Sequence, residues 1–261
     1  MEHGVHAHEV ECAFTAQADA FEDPARNRAL TDDARWIFDT LELPGDDLAL
    51  DVAAGTGHAA RLLAPRVRLV IALDTTAAML ARGQAAARAE GVRNLVFMRG
   101  DAHTLPFCDE SFDVIVSRFA VHHFDRPARV MAEIARCTRP GGRVLLADLI
   151  ADEDPLVAAE QQRLELLRDP SHLRALTRGE LESLLTDAGL GLSDVRTRAL
   201  ERPLQTWLEH ARTPAAAAAE IRERLEVELA SGVPSGLAPR RGDAGELLFA
   251  QSFAAVTATR P

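Results

Sequence analysis

The sequence predicts an α/β fold, in which helices cover both faces of a doubly wound, mostly parallel sheet. Three observations support this prediction. Short apolar runs alternate with helical segments through the middle of the chain. The first run ends at Asp51 and is followed by the loop Gly55-Thr56-Gly57, which opens a helix. The next run ends at Asp74, about 20 residues beyond Gly55, and this spacing is typical of a crevice at the carboxyl edge of a parallel sheet.

The composition limits the function classes. The 261 residues suffice for one domain with a sizeable core, and 47% of them are apolar. The net charge of −11 argues against nucleic-acid binding through a broad basic face. No apolar run approaches the about 20 residues that cross a membrane, and we expect no export signal. The chain has no Lys and no Tyr, which excludes Schiff-base chemistry on Lys and a Tyr acid or base.

The three cysteines, Cys12, Cys108 and Cys137, are far apart and form no CxxC pair. We therefore expect reduced thiols in a cytoplasmic protein, with Cys137 in the core. No metal is expected at these thiols or at the histidines near the N-terminus. That end is instead predicted to be frayed and solvated. Its histidines are His3, His6 and His8.

Two helices are predicted before the first strand, over residues 9–21 and 30–43. Apolar residues recur in each at three- and four-residue steps, as Phe14, Ala18 and Phe21 do in the first. Pro24 marks the break between the two helices, because proline ends a helix at the preceding residue. The N-terminal region is therefore predicted to be helical.

Five strands and three helices alternate through the middle of the chain. The strands are continuous apolar runs, typical of a parallel sheet that is buried on both faces. The predicted strands cover residues 48–52, 69–73, 95–98, 112–117 and 143–150. The predicted helices cover residues 58–63, a segment capped by Thr75 or Thr76 that runs to residue 90, and a segment that Asp125 and Pro127 open and whose apolar stripe runs from Val130 to Cys137. Pro140-Gly141-Gly142 ends the last of them.

The C-terminal part is less regular. Helices are predicted over residues 155–167, 177–188, 203–211 and 215–230. A strand is predicted over residues 192–200, a Gly-, Pro- and Arg-rich loop over 231–245 and a final strand over 246–258. No linker divides the chain, so one domain spans residues 1–261. Within it, the N-terminal helices occupy 1–46, a binding core 47–150, a cap and substrate region 151–245 and the final strand 246–261.

Polar residues stand where four of the predicted strands end. In strand order they are Asp51, Asp74, Gly100-Asp101-Ala102 and Ser117-Arg118-Phe119. At Asp74 a carboxylate can accept both hydroxyls of a ribose, and at Asp101 it can accept from an adenine amine. Since these ends meet at one edge of the sheet, they predict a nucleoside site. The carboxylate of Asp51 disfavours a pyrophosphate beside the loop and suits a cationic ligand such as S-adenosylmethionine (SAM).

The segment 48–149 resembles the class I SAM-dependent methyltransferases. The matching motifs are a glycine motif, a ribose-binding acid, an adenine-binding segment and two strand motifs, at residues 51–57, Asp74, residues 100–107, residues 111–115 and residues 139–142. The spacing and the opening residues 14–18 are most similar to the small-molecule branch typified by the ubiquinone and menaquinone methyltransferases. This resemblance implies a Rossmann-like, seven-stranded sheet with an antiparallel last strand, N-terminal helices and a helical cap.

The same resemblance implies SAM as the cofactor and S-adenosylhomocysteine (SAH) as its product. The implied cofactor-binding residues are Asp51, Ala53, Gly55, Gly57, Asp74, Thr75, Met79, Gly100, Asp101, Ala102, Ser117, Arg118, Phe119 and His123. Ala53 stands where many relatives have glycine, although small residues also occur there. Residues 118–124 lack the signature of the quinone enzymes and resemble generic small-molecule methyltransferases. The identity of the acceptor therefore does not carry over.

The implied reaction transfers a methyl group to an O, N or C atom of a small molecule by in-line displacement. Positioning and desolvation can supply much of its rate, and a general base is needed only for a poorly acidic acceptor group. The candidate bases are His123, His122 and His172, each with packing as its alternative role. Substrate contacts are predicted at Phe14, Gln17, Arg118, His172, Arg174 and Trp207, where an Arg suits an acidic acceptor. A homodimer is left open.

Two other function classes stay open at this point. Residues 55–60 match the loose G-x-G-x-x-A pattern of NAD(P)-dependent oxidoreductases, and Asp74 fits their ribose-binding acid. Asp51, Asp101 and the lack of Tyr and Lys count against that class. The second alternative is a SAM-fold protein that binds or rearranges a ligand without methyl transfer, because a fold does not fix a function.

Overall fold

The computed structural model describes residues 2–23 and 35–261, and the strands in these ranges belong to one sheet. In chain order they are β1 (Leu48–Val52), β2 (Leu69–Asp74), β3 (Leu95–Arg99), β4 (Phe112–Arg118), β5 (Thr138–Leu149), β6 (Gly191–Pro203), β7 (Arg240–Arg241) and β8 (Leu247–Thr259). Seven strands lie in the order β3-β2-β1-β4-β5-β8-β6, and β7 pairs with β8. The pairs among β1 to β5 are parallel, whereas β8 is antiparallel to β5 and β6. The predicted sheet is thus confirmed, with β7 as an addition.

Nine helices surround the sheet in the described ranges. They are α1 (Glu2–Phe21), α2 (Arg35–Phe38), α3 (His58–Leu63), α4 (Ala77–Ala89), α5 (Pro127–Cys137), α6 (Pro155–Arg168), α7 (Arg178–Asp187), α8 (Leu204–His210) and α9 (Ala215–Ser231). Local sequence explains several starts: Pro127 needs no N–H partner in the first turn of α5, and Thr177 forms a capping box with Glu180 at α7. None of these helices is long and apolar enough to cross a membrane.

Apolar side chains bury both faces of the sheet, which explains its continuous apolar strands. In β1, Leu50 and Val52 belong to the cluster on one face, and Ala49 belongs to the cluster on the other. Helices α5 and α7 cover the first face, and α2 and α3 cover the second. The apolar stripe of α5 is fully buried, as its spacing predicts: Val130, Met131, Ile134 and Cys137.

The N-terminal region differs from the prediction at both of its helices. Helix α1 begins at Glu2, so the expectation of a frayed end is wrong; the helix packs against α4 and α8. The described part of the second predicted helix ends at Phe38, well before residue 43. The predicted break at Pro24 lies outside the described residues.

Two segments predicted to be turn or loop contain strand residues. Residues 138–142 belong to β5, because Thr138 pairs with Phe112 before an irregularity in the ladder. The predicted loop 231–245 contains β7, which pairs with the start of β8. Both are short ladder extensions at strand ends, where sequence signals are weakest.

The region 151–245 divides between the sheet and a separate cap. Helix α7 packs against α5, and β6 joins the sheet beside β8. Helices α6, α8 and α9 share a separate, third apolar cluster with the start of β8, around Trp207 and Phe249. The pairing of β5 with β8 ends at Leu149 and Phe253, and beyond it β8 continues beside β6 and β7. The cap therefore packs against the part of the sheet in which β8 extends beyond its pairing with β5.

Candidate active site

The loop after β1 adopts a left-handed backbone at three residues. Ala53, Gly55 and Gly57 have φ values of +55°, +56° and +73°. A Cβ at Gly57 would lie 2.8 Å from Phe97 Cε1, so glycine is required there for packing. A Cβ at Gly55 would meet no atom within 4 Å, because this residue faces a cavity. Gly57 thus serves the turn, and Gly55 forms part of the cavity wall.

Asp51 places a buried carboxyl group beside this loop. Its side chain accepts a hydrogen bond from the Ala60 N–H in α3, with 3.0 Å between Oδ2 and N. Burial raises the pKa of Asp51 to about 7, although the positive charge of Arg118 opposes the increase. A carboxyl group in this state ionises more readily when a cation binds next to it.

Asp74, at the end of β2, joins the two neighbouring loops. Its Oδ2 accepts from the Gly55 N–H at 2.7 Å, and its Oδ1 accepts from the Thr76 N–H at 2.8 Å. Burial raises the pKa of Asp74, and these backbone hydrogen bonds oppose the increase. Each carboxylate oxygen has a second lone pair. Asp74 can therefore hold the loops and accept from ligand hydroxyls at the same time.

A histidine connects the loops that follow β3 and β4. His103 Nδ1 lies 2.8 Å from Asp101 Oδ1, and His103 Nε2 lies 2.9 Å from Asp125 Oδ1. All three residues line the cavity. Asp101 was predicted as a site residue, whereas His103 and Asp125 were not, because they become neighbours only when the two loops meet at the edge of the sheet.

Of the side chains at the end of β4, one lies within the sheet and two line the cavity. The Ser117 hydroxyl donates to the Val52 carbonyl at 3.0 Å, so this buried side chain lies within the sheet. Arg118 and Phe119 line the cavity, with the guanidinium 4.6 Å from the centre of the ring. Burial lowers the pKa of Arg118 to about 10, and the attraction of Asp51 opposes the decrease. Arg118 therefore carries a positive charge in the cavity at neutral pH.

The turn Val121–His123 holds two imidazoles in different states, and both line the cavity. Burial disfavours the charged form of His122, but the charge of Asp148 and a 2.5 Å contact with it raise the pKa of His122 overall. His123 Nδ1 lies 2.8 Å from the Ser171 carbonyl, which can only accept, so Nδ1 carries the proton and Nε2 is an acceptor. Burial and the charge of His122 lower the pKa of His123 to about 3.

Four predicted site residues lie outside the cavity wall: Gly57, Ser117, His172 and Arg174. His172 is buried beside His122, with Nε2 3.1 Å from Gln162 Oε1 and burial lowering its pKa to about 3. Arg174 is exposed and pairs with Glu180 at 2.8 Å. The remaining predicted residues line the cavity: Phe14, Gln17, Asp51, Ala53, Gly55, Asp74, Thr75, Met79, Gly100, Asp101, Ala102, Arg118, Phe119, His122, His123 and Trp207.

Helix α1 covers the cavity with side chains that recur at helical spacing. The His6 Nε2–H donates to the His123 carbonyl at 2.9 Å, and the Phe14 ring lies 5.0 Å from the His123 ring. At the other end of the helix, the Phe21 carbonyl accepts from His58 Nε2 at 2.8 Å. The cover is formed by His6, Val10, Phe14, Gln17 and Phe21. Helix α1 therefore forms one side of the cavity.

The cavity has a volume of about 270 Å³ and two chemically different halves. The loop half lies at the ends of β1, β2 and β3 and contains Asp51, Asp74 and Asp101. The cap half lies against α6, α8, β6 and β8, and its wall consists of Glu165, Arg168, Asp169, Arg202, Trp207, His210, Gln251 and Phe253. The end of β4 lies between them, because β4 separates β1 from β5 in the sheet.

Most residues of the cap half were not predicted from the sequence. The apolar stripe of α1 could have identified Val10 and Phe21, because they extend the helical spacing of Phe14. Gln251 is a polar residue within an apolar strand, which is a weak signal. Arg202 gave no local signal, since arginines are frequent along the exposed parts of this chain.

The described residues contain no group of three or more His, Cys, Asp and Glu side chains that could hold a metal ion. Cys12 and Cys108 are exposed free thiols, and Cys137 is a buried one. Burial raises the pKa of Cys137 to about 11, so this thiol stays protonated and unreactive at neutral pH.

Comparisons with known proteins identify relatives of this chain. The family described as "Methyltransferase domain" matches residues 50–146, from β1 into β5. The chain is 34% identical over 205 residues to the uncharacterized methyltransferase YcgJ of Bacillus subtilis, covering 78% of this chain and 81% of YcgJ. The demethylmenaquinone methyltransferase of Renibacterium salmoninarum is 33% identical over 138 residues, covering 49% of this chain and 56% of that relative.

Solved structures give the same result. The crystal structure of YcgJ matches with a TM-score of 0.78 and 29% identity, covering 87% of this chain and 97% of YcgJ. A putative methyltransferase (BH2331) of Bacillus halodurans matches with a TM-score of 0.79 and 27% identity, covering 88% of this chain and 99% of its own. The fold and the glycine loop are those of the class I methyltransferases. The chain belongs to this methyltransferase family, as its motifs predict.

Proposed function

We propose that the protein transfers a methyl group from SAM to a small-molecule acceptor. One observation carries the proposal: Asp51, Asp74 and Asp101, at the ends of neighbouring strands, line one cavity beside the open face of Gly55. Such carboxylates suit ribose hydroxyls, an adenine amine and a sulfonium cation. A buried carboxyl at Asp51 would oppose the pyrophosphate of a nicotinamide cofactor, so the same observation disfavours the oxidoreductase alternative.

The residues of the loop half fit this cofactor. Gly55 leaves the wall open where a side chain would fill it, and Asp74 keeps lone pairs for hydroxyl groups. Met79 and Ala102 add apolar surface for a flat base. When SAM is bound, it supplies a methyl group on a positively charged sulfur. The acids of the loop half would hold the sugar and base, and Asp51 would favour the cation.

The residues between the two halves would position the acceptor. His123 presents Nε2 as a hydrogen-bond acceptor, and the Ser171 carbonyl fixes the orientation of its ring. Because the pKa of His123 is about 3, this imidazole is a weak base. Its role is to orient an O–H or N–H group of the acceptor. His122, paired with Asp148, supports the turn that carries His123.

The enclosure suits a small acceptor. The whole cavity, which would hold SAM and the acceptor together, has a volume of about 270 Å³, near the lower limit of small-molecule sites, and α1 covers one side of it. Covering a displacement reaction in this way excludes water and limits the motion of the reactants. We place the reaction in the cytoplasm, because a reducing compartment keeps the three free thiols reduced.

Calorimetric titration of the purified protein with SAM, SAH and NADH tests the cofactor. We expect SAM and SAH to bind and NADH not to bind. Release of SAH is then measured with the small-molecule fraction of a cell extract as the source of acceptor. Binding of NADH without SAM would contradict the proposal. Binding of SAM with no SAH formed from any fraction would favour a SAM-fold protein without methyl transfer.

A further inference from the structure

The cap half contains a buried cation that forms no salt bridge with the described residues. Arg202 lines the cavity, forms no salt bridge with the described residues, and its Nε is buried without a hydrogen-bond partner. Its guanidinium carbon lies 5.3 Å from the centre of the Phe249 ring and 5.8 Å from that of Phe253. Burial and the nearby charge of Arg168 lower the pKa of Arg202 to about 9, although the attraction of Glu165 opposes the decrease, and Arg202 stays charged at neutral pH. An anion would stabilise this group.

The other charged side chains of the cap half have partners. Arg168 Nη1 lies 3.5 Å from Glu165 Oε2. Asp169 Oδ1 accepts from the Ser171 hydroxyl at 2.6 Å and from the Ser171 N–H at 3.0 Å. The first contact pairs Arg168 with Glu165, and the other two hold the Asp169 carboxylate with neutral donors. The charge of Arg202 therefore remains for a ligand.

Two hydrogen-bond acceptors lie in the same half. The Gln251 amide donates to Glu165 Oε1, which leaves Gln251 Oε1 and Glu165 Oε2 buried without hydrogen-bond donors. A ligand hydroxyl or amino group would satisfy either oxygen. The Trp207 ring lines this end of the cavity and packs against the Phe249 ring behind it, with centres 4.6 Å apart, so the cavity has a flat apolar wall here. The complementary ligand is therefore flat, acidic and a hydrogen-bond donor.

The sheet fixes these groups relative to each other. In the antiparallel pairing of β6 and β8, Arg202 lies opposite Phe249 and Leu200 lies opposite Gln251. Arg202 and Gln251 are thus diagonal neighbours on adjacent strands, within reach of one small molecule. Rigid strands hold a recognition site more accurately than loops do.

We propose that the methyl acceptor is a small planar organic acid, whose carboxylate binds Arg202 and whose hydroxyl or amino group donates to Gln251 or Glu165. The inference rests on the proposed function, because it assumes that the acceptor binds in the cap half beside SAM in the loop half. It adds the chemical class of the acceptor. Arg pairs with a carboxylate through parallel hydrogen bonds, which gives both affinity and orientation.

Calorimetric titration of SAH-saturated protein tests this class with a matched pair of probes, para-hydroxybenzoate and para-hydroxybenzamide. The two differ in the carboxylate alone. We expect the acid to bind at least about tenfold more tightly, since a hydrogen bond to a charged group contributes about 1.5–3 kcal/mol. The preference should be lost in Arg202→Gln and kept in part in Arg202→Lys. It should be unchanged in Arg196→Gln, which alters an exposed arginine of the same strand.

Equal binding of acid and amide by the wild-type protein would overturn the inference, as would failure of the acid to bind SAH-saturated protein. Retention of the full preference in a folded Arg202→Gln variant, judged by thermal unfolding, would also overturn it. The same titrations without SAH separate the two proposals. An acid preference that depends on Arg202, in a protein that binds neither SAM nor SAH, would support the Arg202 site and remove the proposed methyl transfer.

Discussion

The two halves of the cavity are built in opposite ways. In the loop half, the three carboxylates of Asp51, Asp74 and Asp101 lie at or just after the ends of β1, β2 and β3. In the cap half, the polar groups come from α6, α8, β6 and β8, and Arg202 forms no salt bridge with the described residues. A parallel sheet brings the ends of its strands together wherever this fold occurs. The positions of the loop-half residues therefore follow from the fold. The positions of the cap-half residues depend on how α6, β6 and β8 pack in this chain.

This difference has a functional consequence. A site for a ligand shared by a whole family can be specified by the fold and by short local motifs. A site for a particular acceptor depends on segments such as α6 and β8, which are more than 80 residues apart in the chain. If this division holds, changes in the loop half should affect cofactor binding, and changes in the cap half should affect acceptor binding.

The largest expected effect comes from Asp74→Ala. We expect SAM to bind at least about tenfold more weakly, because the loss removes a charged acceptor for two hydroxyls and the partner of the Gly55 and Thr76 N–H groups. Calorimetric titration measures the change. Asp74→Asn keeps one acceptor oxygen and should lose less. Unchanged SAM affinity in Asp74→Ala would remove Asp74 from the cofactor site.

The next largest effect is expected at His123, which lies between the two halves of the cavity. His123→Ala should lower the rate of SAH release about five- to tenfold and leave SAM affinity nearly unchanged, because His123 Nε2 orients the acceptor and not the cofactor. The rate is measured with the small-molecule extract fraction and the affinity by calorimetry.

His172→Asn is the matched control for this test, since His172 lies outside the cavity wall. It should change neither the rate nor the affinity in a folded protein. Equal rates in His123→Ala and the wild type would make His123 a packing residue. Because its pKa is about 3, removing His123 should not change the pH profile near neutrality.

A smaller effect follows from the charge state of Asp51. With a pKa of about 7 in the ligand-free protein, Asp51 is largely protonated below that pH and ionised above it. A bound sulfonium favours the ionised form, so SAM affinity should rise as pH increases through about 7. SAH lacks this positive charge. The ratio of SAM affinity to SAH affinity therefore removes the pH dependence that comes from groups affecting both ligands equally. From about pH 6 to about pH 8 the preference for SAM should grow about fivefold, in line with about 1 kcal/mol for a nearby charge pair.

Asp51→Asn supplies the control, because an amide oxygen can still accept from the Ala60 N–H. In this variant the ratio of SAM to SAH affinity should not change with pH. A ratio that is flat in the wild type as well would mean that Asp51 does not act on the sulfonium.

The same contrast explains what the sequence could predict. The strands, Asp51, Gly55, Asp74 and Asp101 were predictable because alternation, glycine position and strand-end acids are local patterns. The positions of His103 and Arg202 were not, because each acquires its surroundings from segments distant in sequence. Arg174 looked equivalent to Arg202 in the sequence, and tertiary structure alone separates an exposed ion pair from a cavity wall.

The smallest expected effect concerns Ala53, which stands where many relatives have glycine. It tests whether alanine at this position lowers the stability of the protein. With φ at +55°, Ala53 is in a conformation that costs a residue with a Cβ about 1–2 kcal/mol, offset by the greater freedom of glycine in the unfolded chain. Ala53→Gly should therefore raise the free energy of unfolding by about 0.5–1 kcal/mol in urea titrations. Ala54→Gly, at a neighbour without positive φ, should lower it by a similar amount. Equal signs for the two variants would show that backbone strain at Ala53 is absent.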